Sequence, residues 1–149
     1  MDDAKTPRTY RHGPARRAVN RIMTAFARRG LVPASAILTT RGNRTGEPRS
    51  TPVTPIDVDG RHWLVAPYGE VAWVRNVRVD PAVTLTKGRS VRRFTLREVE
   101  PAVAGPVLRR YVRVAPIVLP YFAAEKDAPI EAFIAEADKH PVFELVEES

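Results

Sequence analysis

The sequence predicts an α+β protein built on a small antiparallel barrel of about six short strands with peripheral helices. Three observations predict it. Runs rich in β-branched and aromatic residues recur at short intervals, each closed by a Gly, Pro, Asn or Asp turn signal. Strands and helices do not alternate as a parallel doubly wound sheet demands. No GxGxxG or Walker A string occurs, so the common routes to dinucleotide and nucleoside triphosphate binding are missing.

Residues 1–13 read as a flexible polar arm, and residues 14–149 as one domain, which suits a chain of 149 residues. Over 14–29, Ala15, Ala18, Val19, Ile22, Met23 and Phe26 share one face of an amphipathic helix. Pro14 stands near its first turn, Gly30 lies just past its end, and Arg28 and Arg29 suit the C-terminal pole of its dipole. Ser35 to Arg41 reads as a strand. Arg49 to Val58 reads as a second, whose Pro52 and Pro55 mark an irregular or edge segment. Asp57-Val-Asp-Gly60 is a turn, and His62 to Ala66 a buried strand. Val71 to Val79 forms a short helix stopped by Asp80-Pro81, and Ala82–Lys87 with Ser90–Val99 form a hairpin. Gly105–Val114 and Pro129–Lys139 read as helices joined by the apolar stretch Ala115–Ala124, and Val142–Val146 returns as a last strand.

Composition excludes several function classes. With no cysteine, disulfides, thiolate metal sites and cysteine nucleophiles fall together. His12, His62 and His140 never stand at metal-ligand spacing, so no metal is expected. No apolar run approaches the ~20 residues needed to span a bilayer, and the polar N-terminus lacks the apolar core of a secretory signal. A cytoplasmic protein is the expectation.

Charge is strongly polarised. Residues 1–49 hold eleven Lys/Arg against three Asp/Glu, 50–97 eight against four, and 98–149 five against ten. An anionic partner held by the first two thirds is implied: nucleic acid, an anionic membrane or a phosphorylated cofactor. The densest feature is Thr40-Arg-Gly-Asn-Arg-Thr-Gly-Glu-Pro-Arg-Ser-Thr-Pro52, in which three arginines stand with four hydroxyl residues and two glycines. Such a hairpin offers cations, hydroxyls and backbone N–H groups to phosphate or carboxylate oxygens. The plain alternative is a polar turn whose arginines are only solvated.

This stretch, followed by Asp-Gly-Arg-His-Trp-Leu-Val-Ala-Pro-Tyr-Gly69, Trp73-Val-Arg-Asn76 and Asp80-Pro-Ala-Val-Thr-Leu85, resembles the deazaflavin-dependent nitroreductase family of actinobacterial proteins over roughly residues 17–125. The resemblance implies a split β-barrel of the FMN-binding split-barrel type. It also implies coenzyme F420 (8-hydroxy-5-deazaflavin), rather than FMN, as cofactor. The implied reaction is hydride transfer from the reduced deazaflavin to a quinone, nitroaromatic, enone or other electron-poor, lipophilic acceptor.

By family position, Arg49, Ser50 and Thr51 match the phosphate-binding segment, with Pro52 shaping the backbone. The family often has lysine where Ser50 stands, and Arg44 is the nearby candidate to replace it. Ala66, Pro67, Tyr68 and Gly69 match the loop along the deazaflavin ring and its oligoglutamate tail, where Tyr68 offers a hydroxyl or a flat face. Read without the family, Pro67-Tyr68-Gly69 is a turn leaving a strand. Trp73 and Asn76, three residues apart, share a helix face. The resemblance makes Trp73 an aromatic wall and Asn76 a polar contact or helix brace, whereas composition alone makes Trp73 core. Arg75 and Arg78 face either solvent or the tail. Tyr111 and Tyr121 fall where relatives place substrate-side tyrosines, and the proton that a hydride acceptor also needs comes from a tyrosine hydroxyl or a bound water. The apolar stretch 115–124 either closes over an acceptor or covers one end of the barrel.

The same resemblance implies a homodimer, because related barrels build pockets at subunit contacts. Two rivals stand beside the enzyme: a non-catalytic cofactor- or lipid-binding barrel, and a basic membrane-surface or nucleic-acid-binding protein using helix 14–29. Aromatic residues are not interleaved through the basic face, which argues against single-strand binding. Helix 14–29 resting on the inner membrane face is compatible with the enzyme.

Overall fold

The computed structural model describes residues 36–148, so the expected arm 1–13, the helix 14–29 and Ser35 lie outside the described residues. The described chain forms β1 (Ala36–Arg41), β2 (Pro48–Val53), β3 (Ile56–Val58), β4 (Arg61–Val65), α1 (Ala72–Val79), β5 (Ala82–Lys87), β6 (Ser90–Glu98), α2 (Pro101–Val114), α3 (Ile130–Ala135) and β7 (Val142–Glu147). Short 3-10 turns cover Pro116–Tyr121 and Ala137–Lys139.

Seven strands form one antiparallel sheet in the order β2-β1-β5-β6-β7-β4-β3. The two outermost strands, β2 and β3, are consecutive in the chain and joined only by Thr54-Pro55. Three Cα–Cα steps of 3.8 Å span at most about 11 Å, so the two edges of the sheet come together and the sheet curls into a split barrel. The single strand expected over Arg49–Val58 is therefore two strands. Pro55 lacks the N–H that would continue the ladder, and the chain crosses from one edge to the other there. Pro52 is tolerated because β2 has a neighbour on one side only.

The sheet has two apolar faces, as alternation in β4 shows. Leu64 points into the barrel with Leu38, Phe94, Leu96, Phe143 and Leu145, and α1 plugs that interior with Trp73, Val74 and Val77. Trp63 and Val65 point outward onto α2 and α3, joining Leu108, Tyr111, Val112, Phe122 and Phe133. Helix α2 begins at Pro101, four residues before the expected Gly105. Proline fits the first helical turn, and Gly105-Pro106, which read as a start, lies inside the helix. Gly105 is required by a close approach: a Cβ there would overlap Ile134 Cγ1 and crowd Ile130 Cγ2 at 3.3 Å. The helix expected over Pro129–Lys139 ends at Ala135, where Glu136 leaves helical geometry (φ −113°, ψ 11°).

Candidate functional site

The β1–β2 hairpin is tied by its own backbone and by one side chain from α1. Gly42 N–H donates to Glu47 O at 2.8 Å, and Gly46 N–H to Gly42 O at 2.9 Å. Gly46 takes φ 75°, which only glycine adopts without strain. Gly42 is needed for space instead, since a Cβ would sit 3.1 Å from Glu47 O. Asn76, buried on α1, reaches across: its amide nitrogen donates to Thr40 Oγ1 at 3.0 Å, and its amide oxygen accepts the Asn43 N–H at 3.0 Å. Both polar ends of Asn76 are thus engaged within the protein, bracing hairpin against helix.

Between hairpin and helix lies a groove of about 610 Å³. The hairpin supplies Thr40, Gly42, Asn43, Arg44 and Thr45, and β2 supplies Arg49, Ser50 and Thr51. Helix α1 supplies Ala72, Trp73, Arg75 and Asn76. Trp73 lines the groove while its ring lies 5.4 Å from Phe143 in the core. Ser50 Oγ and Thr39 Oγ1 share a hydrogen bond of 2.9 Å across the β1–β2 ladder.

The groove's cations are unequally engaged. Arg44 and Arg49 make no ion pair among the described residues. Arg75 donates through Nη1 to the Glu70 carbonyl at 2.7 Å and is thereby held at the groove wall. Arg78 is committed elsewhere, gripping Glu98 through Nε and Nη2 at 3.0 and 2.8 Å and meeting Glu70 at 3.3 Å. These carboxylates, Glu98 first, raise the Arg78 pKa further above its ordinary value.

The remaining candidates form a second cluster. Ala66 is wholly buried, and the loop Ala66–Gly69 runs from β4 into α1. Gly69 takes φ 91°. Tyr68 meets Tyr121 edge to face, ring centroids 4.7 Å apart. Tyr111 lies beneath, 5% exposed in the core under α2. Burial, with a smaller contribution from Tyr68, pushes its hydroxyl pKa upward. Tyr111, expected on the substrate side, does not line the groove; neither does Tyr121. The 115–124 stretch covers the core through Val118, Phe122 and Ala124, while Ile117 stands 75% exposed. Pro52 follows the groove-lining Thr51 at the end of β2.

Residues 14–134 match the sequence model of the F420H2-dependent quinone reductases. The chain belongs to this family. It is an F420-dependent reductase, which sets aside the reading as a non-catalytic cofactor- or lipid-binding barrel. No curated protein matches the sequence. Among solved structures, the F420-H2 dependent reductase FDR-A is 24% identical at a TM-score of 0.56, covering 76% of this chain and 94% of that one. A chain described as a domain-swapped dimer is 23% identical at a TM-score of 0.55, covering 88% and 96%. A putative pyridoxamine 5'-phosphate oxidase from Listeria innocua is 14% identical at 0.54, covering 88% and 94%. At these identities the likeness establishes the split-barrel fold of the reductase. No described helix is long and apolar enough to cross a membrane, and no described group of His, Asp and Glu has the makings of a metal site.

Sequence reasoning counted Thr40 among the hairpin hydroxyls and left Arg75 between solvent and tail, but it did not foresee the bond from Asn76 to Thr40 or single out Asn43. The signal for the first was present: Thr40 is polar at an inward position of an alternating strand, opposite a helix carrying a polar Asn76 on its buried face.

Proposed function

We propose that the groove between the β1–β2 hairpin and α1 holds the phosphate end of coenzyme F420, and that the reductase passes a hydride to a quinone. One observation carries the assignment. Two arginines without carboxylate partners among the described residues, Arg44 and Arg49, flank the Ser50 and Thr51 hydroxyls along a groove walled by Trp73. The donor set fits a phosphate, because charge-assisted bonds from guanidinium are roughly twice as strong as neutral ones. Arg75, held at the opposite wall, adds the cation that Ser50 lacks where relatives carry lysine.

When bound, the reduced deazaflavin supplies the hydride. The chain's own contribution is placement. Arg44, Arg49, Ser50 and Thr51 anchor the anion, with Pro52 shaping the end of β2, and Trp73 gives a flat apolar wall to an aromatic ring. Asn76 keeps hairpin and helix in register. The loop of Ala66, Pro67, Tyr68 and Gly69 continues that wall toward the acceptor. Quinone reduction consumes a proton as well as a hydride, and the half-buried Tyr121, against Tyr68, is the proposed donor through its Oη. A homodimer in the cytoplasm, touching the inner membrane face through 14–29, suits a lipophilic quinone and completes the reading.

Anaerobic mixing of the protein with reduced F420 and menadione tests it. Oxidation of the cofactor, matched mole for mole by quinone reduction, is expected. A cofactor that binds yet stays reduced with quinone, nitroimidazole and enone acceptors alike would overturn it.

A further inference from the structure

Five polar or charged residues are buried among the described residues: Thr40, Asn76, Glu136, His140 and Glu144. Thr40 and Asn76 brace the hairpin, and Glu144 is neutralised by Arg61 and Arg97. Glu136 and His140, 5% and 3% exposed, take no part in the groove, and both lie beyond the family-matched segment 14–134.

Their contacts form a closed chain. His140 Nδ1 lies 2.8 Å from the Pro67 carbonyl oxygen, and Nε2 lies 2.8 Å from Glu136 Oε1. Glu136 accepts the Ala123 N–H on Oε1 at 3.0 Å and the Ala124 N–H on Oε2 at 2.7 Å. The Phe122 ring stacks on the imidazole, centroids 3.8 Å apart and planes 13° apart. A carbonyl only accepts, so Nδ1 carries a proton. A second proton lies between Nε2 and Oε1, and on either atom it leaves the pair neutral overall and every polar atom satisfied. A buried network satisfied in this way holds one geometry, because each departure strands a donor or acceptor away from water.

The pair joins two strips of chain that bear on the groove. On one side, residues 139–141 moor the Ala66–Gly69 loop. Ala66 N–H donates to Pro141 O at 2.8 Å, Pro67 O meets His140, and a Cβ on Gly69 would stand 3.4 Å from Lys139 O. The loop runs directly into the first turn of α1, where Val71 N–H bonds Gly69 O at 2.8 Å and Ala72 and Trp73 line the groove. On the other side, Glu136 fixes the backbone just after Tyr121. Tyr68 and Tyr121, one from each strip, meet edge to face.

We propose that the buried His140–Glu136 pair is a positioning device that sets the Ala66–Gly69 loop, and through it the groove-lining start of α1, against the Tyr121 strip. It rests on the assignment of F420 to the groove. His140 and Glu136 touch neither cofactor nor acceptor; they act through Pro67 and through Ala123 and Ala124.

Two substitutions divide the roles of the two ring nitrogens. His140→Gln places an amide nitrogen near the Nε2 position, keeping the bond to Glu136 and losing the one to Pro67. His140→Asn places an amide nitrogen near the Nδ1 position, keeping Pro67 and losing Glu136. Both are titrated with oxidised F420 by Trp73 fluorescence, below the unfolding midpoint of the less stable variant, so that affinity is read on folded protein. The expected result is a Kd raised about tenfold in His140→Gln and within about threefold of the parent in His140→Asn, although both lose stability. Glu136→Gln keeps a donor toward His140, and with it the Pro67 bond, but gives up the bond from Ala123 N–H; it is expected to bind like His140→Asn. Should His140→Gln not fold, His140→Leu, which loses both imidazole bonds, takes its place with the same tenfold rise in Kd expected. A merely structural pair would shift the midpoints and leave the affinities of all three variants alike, and that result overturns the proposal. If the parent protein itself binds no F420, the groove assignment falls instead; if the parent binds and His140→Gln matches it, only the positioning role falls.

Discussion

Replacing Asn76 by alanine tests the brace between hairpin and helix. Asn76 is 5% exposed and makes two hydrogen bonds of 3.0 Å, one to the Thr40 hydroxyl and one from the Asn43 N–H. Each is worth about 0.5–1.5 kcal/mol net, and a buried group left unpaired costs about 1–3 kcal/mol. The Thr40 hydroxyl is buried and keeps its penalty, whereas Asn43 is exposed and regains water. The loss in Asn76→Ala is therefore about 2–3 kcal/mol. For a chain of this size that lowers the melting temperature by roughly 4–12 °C. Urea denaturation followed by circular dichroism measures it, with Thr40→Val and the double variant closing a cycle. Because the two side chains share one bond, the double variant should lose less than the sum of the single losses by at least about 0.5 kcal/mol. A loss in Asn76→Ala below about 0.5 kcal/mol, or strict additivity, would refute the brace.

Two further predictions concern the core. Gly105→Ala gains about 1 kcal/mol of helix propensity but forces Ile134 and Ile130 out of their places, so a net loss of roughly 1–2 kcal/mol is expected in the same urea assay; a stabilised variant would contradict the close approach of α2 and α3. Tyr111 gives a pH dependence. Burial raises its folded pKa above the unfolded value near 10, so the stability it contributes is complete below about pH 10 and is lost as pH rises toward the folded value. Above about pH 10 the parent should lose up to about 1.4 kcal/mol per pH unit relative to Tyr111→Phe. Parallel stability curves for the two proteins would show that the hydroxyl is not buried.

Local pattern made much of this fold legible. Runs of β-branched and aromatic residues closed by turn signals marked β1, β4 and the β5–β6 hairpin, and Asp80-Pro81 marked the end of α1. The division of the Arg49–Val58 run was harder to read, because two prolines announce irregularity but not that the chain changes sheet edge between them. At the site, Trp73 and Asn76 were placed together by their spacing of three, and the hairpin arginines by proximity in sequence. On α2, Ala104, Val107, Leu108, Tyr111 and Val112 repeat at core spacing, and the structure buries them all. The reach of Arg75 into the groove depends on the Glu70 carbonyl, a backbone contact that composition does not reveal. His140 and Glu136 stand four apart, a visible pairing, but Pro67 lies 73 residues from His140 and is joined to it only by the fold.

The central claim, that the hairpin groove anchors the phosphate of F420, is tested most directly by titrating the cofactor into the parent protein, Arg49→Ala and Arg78→Ala. Arg49 lines the groove without a carboxylate partner among the described residues, whereas Arg78 is spent on Glu98 and Glu70. The account predicts at least tenfold weaker binding for Arg49→Ala, about 1.4 kcal/mol, and an affinity near the parent's for Arg78→Ala. Equal affinities for Arg49→Ala and the parent, or equal losses in the two variants, would contradict it.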